Sequence, residues 1–401
     1  MIPTARLMKS YNYNSRRRDI EEPFSIVFKQ YVCCKSLEKI VSLFVSQRVR
    51  NILIIRFSSI GDIVLASPLI RSVRTTFPDA TIDFLVKAEY ADLIKYNPYL
   101  SEVHELTTND FDELRRLVIK LRARKYDLII DIHNSLRSRY ARWFARAKRV
   151  TVINKKIIAR FLLVRFKWNL YRTITSVADR YLETVRRFGV HNDQNGLEVS
   201  IPDDLALSVR VRLEKFRLEK YKLIIGIAPS ARHATKRWLP ERYVDLGVAL
   251  EKKYHLKIFI FGSKDEHEYC SDIAQMINAA LGAPVAESIA GIFTLLEDAV
   301  VMDRCDIIVC NDTGLLHMAS ARKRKVVAIF GSTVRELGFF PYQTEHRVVE
   351  RKELACRPCS HIGQAQCPKG HFRCMNDIGV DDVFNAVQSL VQSHGTNTTV
   401  G

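Results

Sequence analysis

Two open α/β sheets with parallel strands are the fold class this 401-residue chain predicts. Three observations predict it. Asn51 to Phe57 is a near-continuous apolar run (Ile52, Leu53, Ile54, Ile55), followed by Ser58-Ser59-Ile60-Gly61-Asp62 and helical spacing from Ile63 toward Phe77. That is the strand, loop, helix order of a βα unit whose strand is covered on both faces. The same order restarts at Leu223 to Ala228, which opens a loop rich in Ser, Arg, His and Lys. Between the two, Asn192 to Leu207 carries Asn195-Gly196, Pro202 and the paired Asp203 and Asp204, and reads as a linker.

The first half continues with strands at Thr81 to Val86, Leu128 to Ile132 and Arg149 to Ile153, and with helical spacing from Leu114 to Ala123. The second continues with a helix from Glu241 to Tyr254, a strand from Lys257 to Gly262, a helix from Glu266 to Leu281, a strand from Cys305 to Cys310 and a helix from Leu315 to Ala321. Residues 51–205 and 206–392 are the two expected domains, and Val380 to Gln392 is the last helix. Residues 1–50 form an extension in which Ser25 to Val45 predicts an amphipathic helix (Ile26, Val27, Tyr31, Leu37, Ile40, Val41, Phe44); residues 393–401 are expected to be a disordered tail. Ligands of open α/β sheets bind beyond the carboxyl ends of the strands, so the loops at 58–62, 229–237, 262–266 and 311–317 should face one cleft.

Composition narrows the class. Hydrophobic residues make up 47% and charged residues 26%, as in folded soluble chains, and no uninterrupted apolar run reaches the roughly 20 residues of a membrane span. The amino terminus lacks the apolar core of a secretory signal, and nine dispersed cysteines suit a reducing compartment, so a cytoplasmic protein is expected. The formal net charge of +18 is concentrated: Arg115 to Arg172 holds eighteen Lys and Arg against Asp127 and Asp131. Aromatics interleave with these bases (Tyr140, Trp143, Phe144, Phe161, Phe166, Trp168, Tyr171). The pattern predicts an acidic partner, either the inner face of a membrane or an acidic glycolipid, with a solvated helix face as the alternative. No zinc-finger or RNP-type motif points to nucleic acid. Neither βα turn carries G-x-G-x-x-G, which excludes a nicotinamide oxidoreductase.

The strand-to-helix junction Asn311-Asp312-Thr313-Gly314-Leu315-Leu316-His317 carries the most chemistry. A helix start there offers N–H groups to a phosphate, Gly314 would let a ligand approach the backbone, and Asp312 would accept hydrogen bonds from hydroxyls. An ordinary N-capped helix with His317 packed beneath accounts for the same residues.

Taken in order, Arg56-Phe57-Ser58-Ser59-Ile60-Gly61-Asp62-Ile63-Val64, Ala228-Pro229-Ser230 leading to Lys236-Arg237-Trp238-Leu239-Pro240, Phe261-Gly262-Ser263, and Asn311 to His317 resemble the motif set of glycosyltransferase family 9, which contains the ADP-heptose lipopolysaccharide heptosyltransferases. The resemblance spans roughly residues 51–390. It implies a GT-B architecture, two Rossmann-like doubly wound domains facing a central cleft, with the acceptor on the first and the nucleotide sugar on the second. It also implies inverting, metal-independent transfer from ADP-heptose to the lipopolysaccharide inner core, on the inner face of the inner membrane. A protein or another glycolipid as acceptor, another donor, or a non-catalytic nucleotide-sugar-binding protein are the alternatives.

Inverting transfer needs a base for the acceptor hydroxyl and a cation or oriented N–H groups for the departing diphosphate. Asp62 is the candidate base and Lys236 the candidate phosphate cation, where the resemblance also places them. On the donor side Ser230 would contact the diphosphate, although Ala231 and Arg232 replace threonines of some relatives. Gly262 opens a loop whose Glu266, or Asp265, would bind ribose hydroxyls. Asp312 would hold sugar hydroxyls, the N–H groups of Thr313, Gly314 and Leu315 phosphate oxygens, and His317 either the phosphates or Asp312. On the acceptor side the candidates are Arg56, Ser58, Gly61, Arg137 and Arg139. Cys356, Cys359, Cys367 and Cys374 have the density of a metal site, and the resembling enzymes that heptosylate autotransporters hold iron in a cysteine cluster. Reduced thiols in a structural loop are the preferred reading here, with no catalytic metal and no required cofactor.

Overall fold

The computed structural model describes residues 49–108 and 110–393. The expected amphipathic helix at 25–45 and the tail from 394 lie outside the described residues. In chain order the elements are β1 Asn51–Ile55, α1 Ile60–Val64, α2 Ser67–Thr76, β2 Thr81–Lys87, β3 Glu102–Leu106, α3 Phe111–Ala123, β4 Tyr126–Asp131, α4 Leu136–Ala145, β5 Ala147–Val152, α5 Ile157–Phe166, α6 Val177–Glu183 and α7 Asp203–Leu213. They continue with β6 Leu223–Ala228, α8 Pro240–Tyr254, β7 Leu256–Ile260, α9 His267–Leu281, β8 Ala286–Ser288, α10 Leu295–Met302, β9 Ile307–Asn311, α11 Gly314–Ala321, β10 Lys325–Phe330, β11 His346–Glu350 and α12 Val380–Gln392.

The first sheet has the order β3-β2-β1-β4-β5 and the second β11-β10-β9-β6-β7-β8, parallel throughout. Register pairs Ile52 with Ile82 on one side of β1 and with Leu128 on the other, and Ile225 with Ile258 and Ile307 around β6. The central strands are buried on both faces, which is why they read as unbroken apolar runs. Each sheet reverses its winding direction once, between β1 and β4 and between β6 and β9. The loops after those four strands flank the two crevices where an open α/β sheet binds ligands.

Several elements differ from expectation. The helix expected from Ile63 to Phe77 is two, α1 and α2. Pro68 lacks the N–H that would continue the ladder, and the Ser67 hydroxyl donates to the Val64 carbonyl at 2.7 Å. The linker is shorter than expected, because α7 begins at Asp203. Pro202 precedes it, and Asp203 and Asp204 sit in its first turn, where carboxylates favour a helix start. β3 and β8 escaped the sequence reading because both are short edge strands with half-exposed polar residues, and the reading stopped short of β10 and β11.

Candidate functional site

The two crevices meet where α1 packs against α11. A Cβ on Gly61 would lie 2.6 Å from Cδ2 of His317, and one on Gly314 would lie 2.9 Å from Cβ of Ile60. Both positions need glycine because the helices touch through their backbones. The expectation that Gly314 makes room for a ligand is corrected on this ground: Ile60 occupies that space.

In the first crevice, Asp62 is the third residue of α1 in a capping box with Ser59, whose N–H and hydroxyl donate to Oδ2 at 3.3 and 3.1 Å. Arg56, at the end of β1, reaches the same oxygen at 2.7 Å. Among the described residues, Oδ1 accepts only from the Tyr181 hydroxyl, at 3.2 Å. Burial raises the proton affinity of Asp62, but the Arg56 charge and the Ser59 hydrogen bonds outweigh it and hold the carboxyl below its usual range. Arg56 also donates to the Ile132 carbonyl at 2.7 Å. Arg56, expected to face acceptor acids, has Nη1 and Nη2 on the Ile132 carbonyl and Asp62, while its Nε has no partner among the described residues.

Past the ends of β1, β2 and β4 lies a cavity of about 350 Å³ lined by Phe57, Ser58, Lys87, His133, Ser135, Leu136 and Arg137; Asp62 is not in its lining. Of the residues expected on the acceptor side, Ser58 and Arg137 line this cavity. Arg139 does not line the cavity; it is exposed, with Nε 3.5 Å from Oδ1 of Asn134. Burial, with the Arg56 and Lys155 charges, pushes the His133 imidazole down to about 3, so it is neutral and its Nδ1 has no partner. Lys155 is depressed by burial and by Arg56 and Arg160.

In the second crevice, Lys236 Nζ lies 2.7 Å from Oδ2 of Asp312, which also accepts from Thr333 at 2.7 Å. The turn Ala234–Lys236 is fixed from behind. Trp238 is buried, with its indole N–H on the Ile378 carbonyl at 3.0 Å. Asn311 accepts from the Trp238 N–H at 3.2 Å and donates to the Pro229 carbonyl at 2.7 Å. Thr235 and Gln364 exchange hydrogen bonds through Thr235 N–H (3.1 Å) and Gln364 N–H (2.8 Å), so the cysteine-rich loop braces the lysine turn. Glu266 accepts from the Ser263 N–H at 2.8 Å. Burial raises it, but hydrogen bonds from Ser230 and Ser263 bring it below the usual range. Ser230 and Glu266 are therefore neighbours, whereas Asp265 is exposed. At Gly262 a Cβ would meet the Cys270 sulfur at 2.7 Å.

Thr313 caps α11, its hydroxyl accepting from the Leu315 N–H at 3.2 Å. The Leu315 N–H is thus already engaged within the chain. His317 is buried between the crevices. Burial pushes it down to about 4 against the pull of Asp312 and Asp62, its Nδ1 has no partner, and it makes no hydrogen bond to Asp312.

Cys356, Cys359, Cys367 and Cys374 are free thiols, and burial pushes Cys374 up to about 11. Among the described residues the group of side chains close enough to share an ion is Asp83, Glu102 and His104. It lies on the β2–β3 edge, where Arg124 approaches Asp83 at 3.8 Å and pairs with Glu102. Sequence reasoning missed Tyr181, His133, Lys155 and Gln364; none is part of a local pattern, and each reaches the site through tertiary packing.

The family model for glycosyltransferase family 9 (heptosyltransferase) matches residues 114–369. The chain is 26% identical over 344 residues to lipooligosaccharide heptosyltransferase 2 of Campylobacter jejuni, covering 83% of this chain and 96% of that protein. It is 25% identical over 359 residues to lipopolysaccharide heptosyltransferase 2 of Salmonella typhimurium, covering 86% and 99%. Among solved structures it resembles a family 9 glycosyltransferase of Veillonella parvula, with a TM-score of 0.70 and 20% identity over 86% of this chain and 97% of that one. It also resembles the ADP-heptose heptosyltransferase II of Escherichia coli, with a TM-score of 0.66 and 22% identity over 86% and 99%. The two parallel sheets share the GT-B fold of these structures. The chain belongs to glycosyltransferase family 9, the heptosyltransferases.

Proposed function

We propose that this protein transfers a heptose from ADP-heptose to an inner-core hydroxyl of lipopolysaccharide with inversion at the anomeric carbon. The carrying observation is that α1 and α11 join a crevice holding an ionised carboxylate, Asp62, to one holding Lys236 and Asp312. The acceptor hydroxyl enters by the cavity at Ser58 and Arg137, Asp62 takes its proton through Oδ1, and the oxygen attacks the anomeric carbon as the bond to ADP breaks. Lys236 receives the departing diphosphate, so the chain's own cation carries the charge stabilisation. Asp312 orients the sugar by its hydroxyls, and Ser230 and Glu266 hold the nucleotide end. The presence of both Asp62 and Lys236 disfavours a non-catalytic binding protein.

Work at the inner face of the inner membrane belongs to the same reading. Among the described residues no helix is long and apolar enough to cross a membrane. The test is incubation with ADP-heptose, UDP-sugars and defined lipid A acceptors, with and without chelator. Transfer confined to ADP-heptose and insensitive to chelator is expected; transfer from a UDP-sugar alone, or to a protein acceptor alone, would replace this reading by another activity.

A further inference from the structure

The basic stretch is not uniform. Of the arginines at 137, 139, 142, 146 and 149, Arg142 is tied to the buried Asp131 at 2.7 Å. The unusual surface lies further on, at α5. Eight of its ten residues are apolar, yet Leu163 is its one buried side chain. Ile158 is 74% exposed, Phe161 58%, and Trp168 just beyond the helix 62%. A globular surface helix turns such side chains inward. Here the rings meet one another, Phe161 with Phe166 at 6.0 Å and Phe166 with Trp168 at 5.5 Å.

The element is also fixed in place. Lys167 Nζ donates to the Pro358 and Val164 carbonyls at 2.6 and 2.8 Å, and Asn169 donates to Glu336 at 3.1 Å. Ile153, four residues before α5, donates its N–H to the Asp131 carbonyl at 2.9 Å and accepts from the Asn134 side chain at 3.4 Å, so α5 starts beside the loop that lines the first crevice. From Ile132 to Ala178 the sequence has twelve Lys and Arg and no acid.

We propose that α5 and the turn through Trp168 are a preformed docking element that inserts into the headgroup layer of an anionic membrane and so brings the first crevice to the lipid surface. Apolar side chains flanked by bases suit a helix lying in an interface, and the surrounding positive charge meets anionic headgroups. Packing of two copies through this face would set like charges against each other, which favours lipid over self-association. The inference rests on the reading that the acceptor is a membrane glycolipid.

The full chain carrying Trp143→Phe retains Trp168 and the buried Trp238 as emitters. Its fluorescence is followed on vesicles of phosphatidylglycerol and phosphatidylethanolamine brominated near the acyl tops, free of glycolipid, and on phosphatidylcholine vesicles. Quenching on the anionic vesicles alone is expected, reversed by salt, and Ile158→Ser with Phe161→Ser should weaken binding by about 100-fold. The same pair should leave transfer to a deacylated, water-soluble acceptor unchanged. Vesicle binding without quenching, or a parent dimer that this pair converts to monomer, would overturn the proposal. A parent protein that transfers to the soluble acceptor but does not dock on anionic vesicles would remove the docking element alone; a parent that docks but transfers to no acceptor would remove the enzymatic reading alone.

Discussion

Each crevice holds a carboxylate beyond a central strand, Asp62 in α1 after β1 and Asp312 directly after β9, and the two are treated oppositely. Asp62 accepts on Oδ2 from Arg56 and Ser59 and, among the described residues, on Oδ1 from the Tyr181 hydroxyl alone. Asp312 is paired with Lys236, a flexible side chain that can turn to another anion, and with Thr333. The first arrangement keeps a carboxylate ionised and aimed; the second keeps a cation beside an acid until a diphosphate competes for it. On the proposed reading, the first pair suits proton transfer and the second exchange of partners.

Breaking the first side at its centre should have the largest effect. Asp62→Asn keeps the shape and cannot take a proton, so initial-rate assays should show transfer falling by about a thousandfold or more. Lys236→Ala removes one stabiliser of the leaving group, and turnover should fall about 100-fold, with residual activity that added Asp62→Asn then removes. Arg56→Met probes the setting rather than the base. It leaves a buried carboxylate unpaired, and chemical denaturation should show a loss of roughly 3–5 kcal/mol. Its surviving activity sharpens the sign. Wild-type Asp62 is depressed, so its contribution is present above the unfolded carboxyl value and is lost as pH falls through the folded one. Without Arg56 the burial effect dominates, and the acid limb of kcat/KM should move to higher pH.

Tyr181→Phe is the smallest change. Losing one donor to Oδ1 should move the acid limb up slightly and reduce kcat about 2- to 10-fold, with KM for donor unchanged. A separate pH effect belongs to His317. Its folded value, about 4, lies below the unfolded one, so protonation favours the unfolded chain. Stability should fall as pH drops from about 6.5 toward that value, and His317→Gln should flatten the slope in thermal melts.

The sequence made the strands legible wherever both faces are buried, as at Ile52 to Ile55 and Ile225 to Ala228, and lost them at the edges, where β3 and β8 are short and polar. Asp62, Lys236, Ser230, Glu266 and Asp312 could be singled out as candidates because each belongs to an ordered set of loops that follow strands. What surrounds them was not. Arg56 was read as facing a ligand because its partner, six residues on, is reached only once β1 turns into α1. Gly314 was read as space for a ligand, while the space belongs to Ile60, 254 positions earlier in the chain. Tyr181 lies 119 residues from Asp62, and Gln364 comes from a loop whose cysteines drew attention to metal rather than to Thr235. Tertiary partners of this kind leave no periodic or local trace.

The claim that the two crevices divide base and leaving group is tested most directly by titrating ADP calorimetrically into Asp62→Asn and Lys236→Ala side by side. The account predicts near-parental ADP affinity for Asp62→Asn despite its lost turnover, and clearly weakened affinity for Lys236→Ala. Equal ADP affinity in both variants, or weakening in Asp62→Asn alone, would contradict it.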